Sequence, residues 1–121
     1  MKDFRELKVW GKAHQMVLAC YKLTEGFPKS ELFGLTSQIR RCSASIPANI
    51  AKGCGRLGNS ELHRLLQIAC RSANELEYHL LLAKDLGYIS ETDYHIADKQ
   101  LLDLKRMLVA LTHKVGAKRP S

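Results

Sequence analysis

Leu62-His63-Arg64-Leu65-Leu66-Gln67-Ile68-Ala69-Cys70-Arg71-Ser72-Ala73-Asn74-Glu75-Leu76-Glu77-Tyr78-His79-Leu80-Leu81-Leu82-Ala83 decides the fold class. Within it Leu62, Leu66, Ala69, Ala73, Leu76, Leu80 and Ala83 follow one another at alternating steps of four and three. That heptad period keeps one apolar seam facing a constant direction along a helix. A second seam follows the same rule: Tyr94, Ala97, Leu101, Leu104, Leu108, Leu111 and Val115. Two long seams need helical partners to bury them. The residues therefore predict an all-α fold, an antiparallel up-down-up-down four-helix bundle. An interior of Leu and Ala leaves little room for a catalytic pocket, so the surface is where function is expected.

Working outward from the first seam, Gly87 supplies a left-handed stop after Leu86, and Asn59 or Ser60 supplies a cap before Glu61. The third helix then measures ~39 Å at 1.5 Å per residue. Ser90-Glu91-Thr92-Asp93 opens the fourth helix in the manner of a capping box, and Gly116 closes it. The second helix starts near Leu35 and carries Leu35, Ile39, Cys42, Ile46, Ile50 and Gly53 on one face. Pro47 cannot donate to the Ser43 carbonyl and its ring crowds that oxygen. Because the apolar period continues past it, a kink at 43–47 is expected and not a helix end. The small residues around Pro47 suit either a close subunit contact or packing within one bundle. The first helix, over 7–24, offers Trp10, Ala13, Val17, Cys20 or Tyr21, and Thr24 as its core stripe, with Trp10 and Tyr21 expected to be buried. Gly26 and Phe27-Pro28 stop it. One domain over 1–116 and a short basic tail over 117–121 result.

The chain has 121 residues, of which 45% are hydrophobic and 26% charged, ordinary values for a globular domain. No run approaches the ~20 apolar residues of a membrane helix. The first residues lack the pattern of a signal peptide, so a cytoplasmic protein without membrane contact is expected. The four cysteines lie far apart without a C-x-x-C pair, which suits small buried hydrophobes better than a disulfide or zinc site.

The net charge of +7 is unevenly spread. Positions 40–71 hold six bases and one acid, positions 73–103 hold seven acids and two bases, and positions 105–119 hold five bases and no acid. Such zones fit a polyanion partner or pairing between subunits. On an ideal helix Arg41, Lys52 and Arg56 project within a ~60° arc. Arg64 and Arg71 lie seven apart on the next helix, opposite its seam. Arginine grips phosphate through a bidentate fork. The scarcity of aromatic residues argues against base stacking, so backbone contact is the expected mode.

Enzyme chemistry finds no foothold. Gly53, Gly55 and Gly58 spell G-x-G-x-x-G, but a dinucleotide fingerprint needs a preceding strand, and here a helix precedes it. The five histidines make no i, i+4 pair, no H-E-x-x-H and no E-x-x-H. No serine lies in a nucleophile elbow. No catalytic residue, metal or cofactor is expected.

Several segments together resemble a known family: Phe4-x-x-Leu7-x-Val9-Trp10, Phe27-Pro28, Gly34-Leu35-x-x-Gln38-Ile39-Arg40-Arg41, Ser45-Ile46-Pro47-Ala48-Asn49-Ile50-Ala51-Lys52-Gly53, and Glu75-Leu76-Glu77-Tyr78 with Ala83-x-x-Leu86-Gly87-Tyr88. They look like the four-helix-bundle proteins of the 23S ribosomal RNA intervening-sequence family. Lys52 stands where that family usually has Glu. The resemblance implies an antiparallel bundle assembled as a ring-forming homopentamer. It also implies kinship with accessory proteins of diversity-generating retroelements, which bind nucleic acid and a reverse transcriptase. RNA or DNA, and a reverse transcriptase or ribosomal component, are the partners it suggests. The combined expectation is a non-enzymatic homo-oligomer that binds structured RNA or other nucleic acid. Arg40, Arg41, Lys52, Arg56, Arg64 and Arg71 are the phosphate contacts, with Lys105, Arg106, Lys118 and Arg119 in second rank. The alternative is a protein-binding scaffold in which basic and acidic zones of neighbouring subunits meet.

Overall fold

Four helices pack around a shared apolar core in the computed structural model, which describes residues 3–55 and 58–117. They are α1 (Lys8–Thr24), α2 (Leu35–Gly53), α3 (Gly58–Asp85) and α4 (Glu91–Ala117), with single 3-10 turns at Phe4–Glu6 and Lys29–Glu31. The described residues contain no strand. The chain belongs to the all-α class as a four-helix bundle.

The seam in α3 is buried along its whole length, from Leu62 to Ala83. In α4, Ala97, Leu101, Leu104, Leu108 and Val115 are buried, and Tyr94 and Leu111 pack against the core from its edge. Pairings across helix interfaces show how the chain runs. Cys70 meets Thr112, Glu77 meets Lys105 and Lys84 covers Tyr94, so numbers rise along α3 as they fall along α4. Ser45 meets Ser72 and Gly53 abuts Leu62, which gives α2 and α3 the same opposed sense. Helix α1 packs on α2 and α4, and α3 packs on those same two, so α1 and α3 occupy opposite corners.

Helix α2 runs through Pro47 without ending, and the side chains around it are satisfied locally. Ser43 Oγ donates to the Arg40 carbonyl at 3.1 Å, and Asn49 Nδ2 donates to the Ser45 carbonyl at 2.8 Å. Ser43, Ile46, Pro47, Asn49 and Ile50 are buried within this one chain, whereas Ala44, Ser45 and Ala51 are half-buried and Ala48 is exposed on the outer face of the helix. At Gly53 a Cβ would lie 2.5 Å from Leu62 Cδ1, which is why glycine stands where α3 crosses the end of α2.

Several expectations are corrected. The core stripe of α1 is Val9, Ala13, Met16, Cys20 and Thr24. Trp10 and Val17 are only half-buried, and Tyr21 is 44% exposed. Trp10 instead stacks on His14 with ring centroids 5.0 Å apart and takes Phe4 edge-on. Apolar residues cover more than half of this helix, and Met16, being flexible, fills the interior better than a second aromatic ring. A second correction concerns α3, which begins at Gly58, with a φ of 80°, so that Asn59 and Ser60 lie inside its first turn. The C-terminal end of α3 is as expected. Gly87 has a φ of 82°, and Tyr88 N donates to the Ala83 carbonyl while Gly87 N donates to that of Lys84, a Schellman closure. Ser90 Oγ accepts from Asp93 N at 3.1 Å and caps α4. The far end of α4 differs from the expectation: the helix runs on to Ala117, so Gly116 lies inside it and does not close it.

The four cysteines are free. Burial pushes the Cys20 and Cys42 thiols up to about 12, which keeps both neutral and unreactive. No group of three or more His, Cys, Asp or Glu among the described residues is placed to hold a metal ion. No described helix is long and apolar enough to cross a membrane.

Candidate nucleic-acid interface

Opposed helices bring distant charge zones to the same end. The half of the bundle made of residues 3–14, 45–55, 58–72 and 106–117 carries eight Lys or Arg against three Asp or Glu. The half made of 15–44 and 73–105 carries seven against nine. One half is therefore basic and the other mildly acidic. The basic half gathers the N-terminal end of α1, the C-terminal end of α2, the start of α3 and the C-terminal end of α4. The acidic half holds the α1–α2 and α3–α4 turns.

The residues expected to contact phosphate fall into distinct settings. Lys52 and Arg41 lie on one exposed row of α2, eleven positions and ~16 Å apart, facing the outer α2–α3 groove. Arg41 shares a cleft there with Gln38, Ser45, Ser72 and Glu75, a carboxylate that offsets its charge. Arg64 and Arg71 project from the outer ridge of α3. Arg64 is paired with Glu61 one turn away. Arg71 lines a cleft of about 350 Å³ between α3 and α4 together with Gln67, Cys70, Val109, Thr112 and His113, none of them acidic. Arg40 is turned inward. Its Nε donates to Thr24 Oγ1 at 2.8 Å, a second nitrogen reaches the Tyr21 carbonyl at 3.4 Å, and the guanidinium covers the Tyr21 ring at 4.6 Å. Its fork is occupied in joining α2 to the C-terminal end of α1, where a cation also suits the helix dipole.

Of the second-rank residues, Lys105 is half-buried and bound to Glu77 at 2.7 Å, so it ties α4 to α3. Arg106 is exposed and 3.4 Å from Asp103. Arg56, Lys118 and Arg119 lie outside the described residues. The structure adds cations that charge runs along the chain did not single out: Lys8 and Lys12 on α1, and Lys114 with His113 on α4, all exposed in the basic half. Writing the four helices side by side in opposed directions would have found them.

The acidic half is organised by a clasp. Glu31 Oε1 accepts from Leu35 N at 3.0 Å, which caps α2, and Glu31 Oε2 accepts from the Tyr88 hydroxyl at 2.9 Å. The Leu35 amide, and after it the Tyr88 hydroxyl, hold the Glu31 carboxyl below its ordinary value. Gly34 makes room for the carboxylate, since a Cβ there would lie 2.6 Å from Oε1. Among the described residues, this half also holds eight of the nine exposed large hydrophobic side chains: Leu18, Tyr21, Leu32, Phe33, Tyr78, Leu81, Leu86 and Ile96, the ninth being Val109 in the basic half.

No curated protein matches the chain. A solved structure that superposes on it is a crystal structure of a protein with unknown function from the S23 ribosomal protein family of Bacteroides thetaiotaomicron VPI-5482. The two share 25% identity at a TM-score of 0.77, over 86% of this chain and 97% of that one. The family model described as 23S rRNA-intervening sequence protein matches residues 5–110, spanning all but the last turns of the bundle. The chain therefore belongs to the 23S rRNA-intervening sequence protein family.

Proposed function

We propose that the protein is a non-enzymatic, cytoplasmic homo-oligomer, a pentamer as the family resemblance implies, that binds structured RNA or other nucleic acid on its basic half. The observation that carries this reading is the gathering of two separate basic stretches at one end of the bundle, with an excess of cations on exposed faces. A polyanion releases counterions when several such cations meet its phosphates, without need for base contacts. The contact residues in this reading are Lys52, Arg64 and Arg71, with Arg56 from the α2–α3 connection, joined by Lys114 and Arg106. Arg40 is set aside because its Nε and one terminal nitrogen already bond Thr24 and the Tyr21 carbonyl, and Arg41 because it lies in the acidic half beside Glu75. The concentration of exposed apolar side chains in the other half supports association of copies there, which leaves the basic half open.

Fluorescence anisotropy with a labelled RNA hairpin, titrated over a range of salt, tests the reading. Binding should weaken steeply with salt, by a slope of about −0.7 to −0.9 per phosphate contacted. Arg64→Glu combined with Arg71→Glu should lower affinity and flatten that slope. Unchanged binding in this double variant would reject the basic surface as the site and favour the scaffold alternative.

A further inference from the structure

The arginines of α3 and α4 are not equally free. Arg64 is paired with Glu61 and Arg106 with Asp103, whereas Arg71 has no hydrogen-bond or ion-pair partner among the described residues. Across the interface on α4, His113 is exposed and has none either. The two side chains line one cleft of about 350 Å³. Their neighbours fix the register there: Cys70 Sγ lies 3.6 Å from Thr112 Oγ1, and that hydroxyl donates to the Leu108 carbonyl at 2.6 Å. Gln67, one turn before Arg71, brings an amide to the same wall, and Val109, one turn before His113, an apolar surface 48% exposed. An unpaired guanidinium thus faces an unpaired imidazole across a gap that neither fills.

A second hollow of about 510 Å³ adjoins the first along α4, lined by Leu102, Lys105, Arg106, Val109, Ala110 and His113. Val109 and His113 line both. His113 therefore stands between Arg71 on one side and Lys105 and Arg106 on the other. Helices α1 and α2 contribute no side chain to either space, and no Asp or Glu lines them. The carboxylates next to these cations are Glu77, bound to Lys105, and Asp103, beside Arg106. Lys114 follows His113 in the chain, and His63, one turn before Gln67, has its ring against Gly116. A neutral imidazole offers one donor and one acceptor, whereas a protonated one offers two donors and a positive charge. At a junction lined by cations and free of acids, that proton decides whether the middle position attracts an anion.

We propose that Arg71 and His113 together seat one backbone phosphate of the bound RNA, and that the seat is complete only when His113 carries its proton. This rests on the nucleic-acid reading above and names the part of that surface which gates it. Arg71 brings a planar fork from α3, and His113 brings an N–H from the opposite wall. Val109 lies between the two hollows, where the apolar edge of a sugar would rest. Histidine is the side chain that changes charge between pH 5 and 8, and a phosphate beside it favours the charged form. Binding then takes up a proton, so affinity is gained as pH falls and lost as pH rises. Lysine and arginine alone would give a surface indifferent to pH over that range.

Anisotropy with the labelled RNA hairpin at pH 7.5 and at pH 5.8 tests this. Wild type should bind about three- to tenfold more tightly at the lower pH, with a salt slope steeper by about 0.7–0.9, the equivalent of one phosphate contact. His113→Gln should hold its pH 7.5 affinity at both values, with helical circular dichroism intact because the side chain is exposed. His113→Lys should bind at both values as wild type does in acid. His14→Gln and His63→Gln should keep the gain. A gain that survives in His113→Gln or His113→Lys, or that disappears with His14 or His63, overturns the gate. Wild-type binding that does not change with pH also overturns it and leaves the nucleic-acid reading standing. An RNA that binds at neither pH rejects both.

Discussion

The two halves of the bundle share every helix and one core but differ in what they leave outside. Among the described residues, the basic half exposes lysine and arginine with a single large apolar side chain, Val109. The acidic half exposes eight large apolar side chains and has its turns clasped by Glu31. Charge and apolar surface serve different ends. A solvated cation attracts an anion over about a Debye length, ~8–10 Å in ordinary salt, whereas an apolar patch acts only on contact. Under the function proposed above, separating them along one axis would let the molecule assemble through one half and meet a charged partner with the other.

The most severe disruption comes from the core between the halves. Leu76 is fully buried midway along α3. Leu76→Ala should lower unfolding free energy by ~2–5 kcal/mol, measured by urea denaturation. A single transition is expected, since one core serves both halves; two transitions would show that they fold separately.

Next in size are the charges. Lys52→Glu with Arg71→Glu should cut affinity for an RNA hairpin about tenfold or more at low salt and reduce the salt slope by about two. Oligomer mass should not change. If the mass falls instead, the basic half takes part in assembly and the division of labour fails.

Arg40→Ala separates a cation that is on the surface from one that only belongs to the basic run. It should leave the RNA salt slope as it was. It should cost ~1–2 kcal/mol of stability through the lost bonds to Thr24 and Tyr21, read from chemical denaturation.

The smallest effect is a pH dependence confined to the acidic half. Glu31 has a carboxyl depressed in the folded state, so its contribution is present above the ordinary carboxylate value and is lost as pH falls through the folded value. Glu31→Gln should therefore lower Tm by a few degrees at pH 7. Its Tm curve should converge with wild type in strong acid. A constant difference at all pH values would mean that the charge of the clasp does not matter.

The seam in α3 was legible to the last residue because heptad spacing depends only on positions three and four apart. The stripe of α1 was not. Trp10, Val17 and Tyr21 satisfy nearly the same period as Val9, Met16 and Cys20, and only the fit against α2 and α4 selects between them. The candidate site divides in the same way. Runs of charge could be counted along the chain, but the engagement of Arg40 depends on Thr24 and Tyr21, sixteen and nineteen residues away. The Glu31–Tyr88 bond spans fifty-seven residues and has no local signal at all.

Helix identity, the buried faces of α2, α3 and α4, the Gly87 stop of α3 and the Ser90 cap of α4 were contained in the order of residues, since each follows from backbone geometry over a turn or two. Which cations share an end, which arginine is spent inside, and where an aromatic ring is held out to solvent emerged only when the helices were laid against each other. Those properties depend on atoms far apart in the chain, and only packing sets the distances between them.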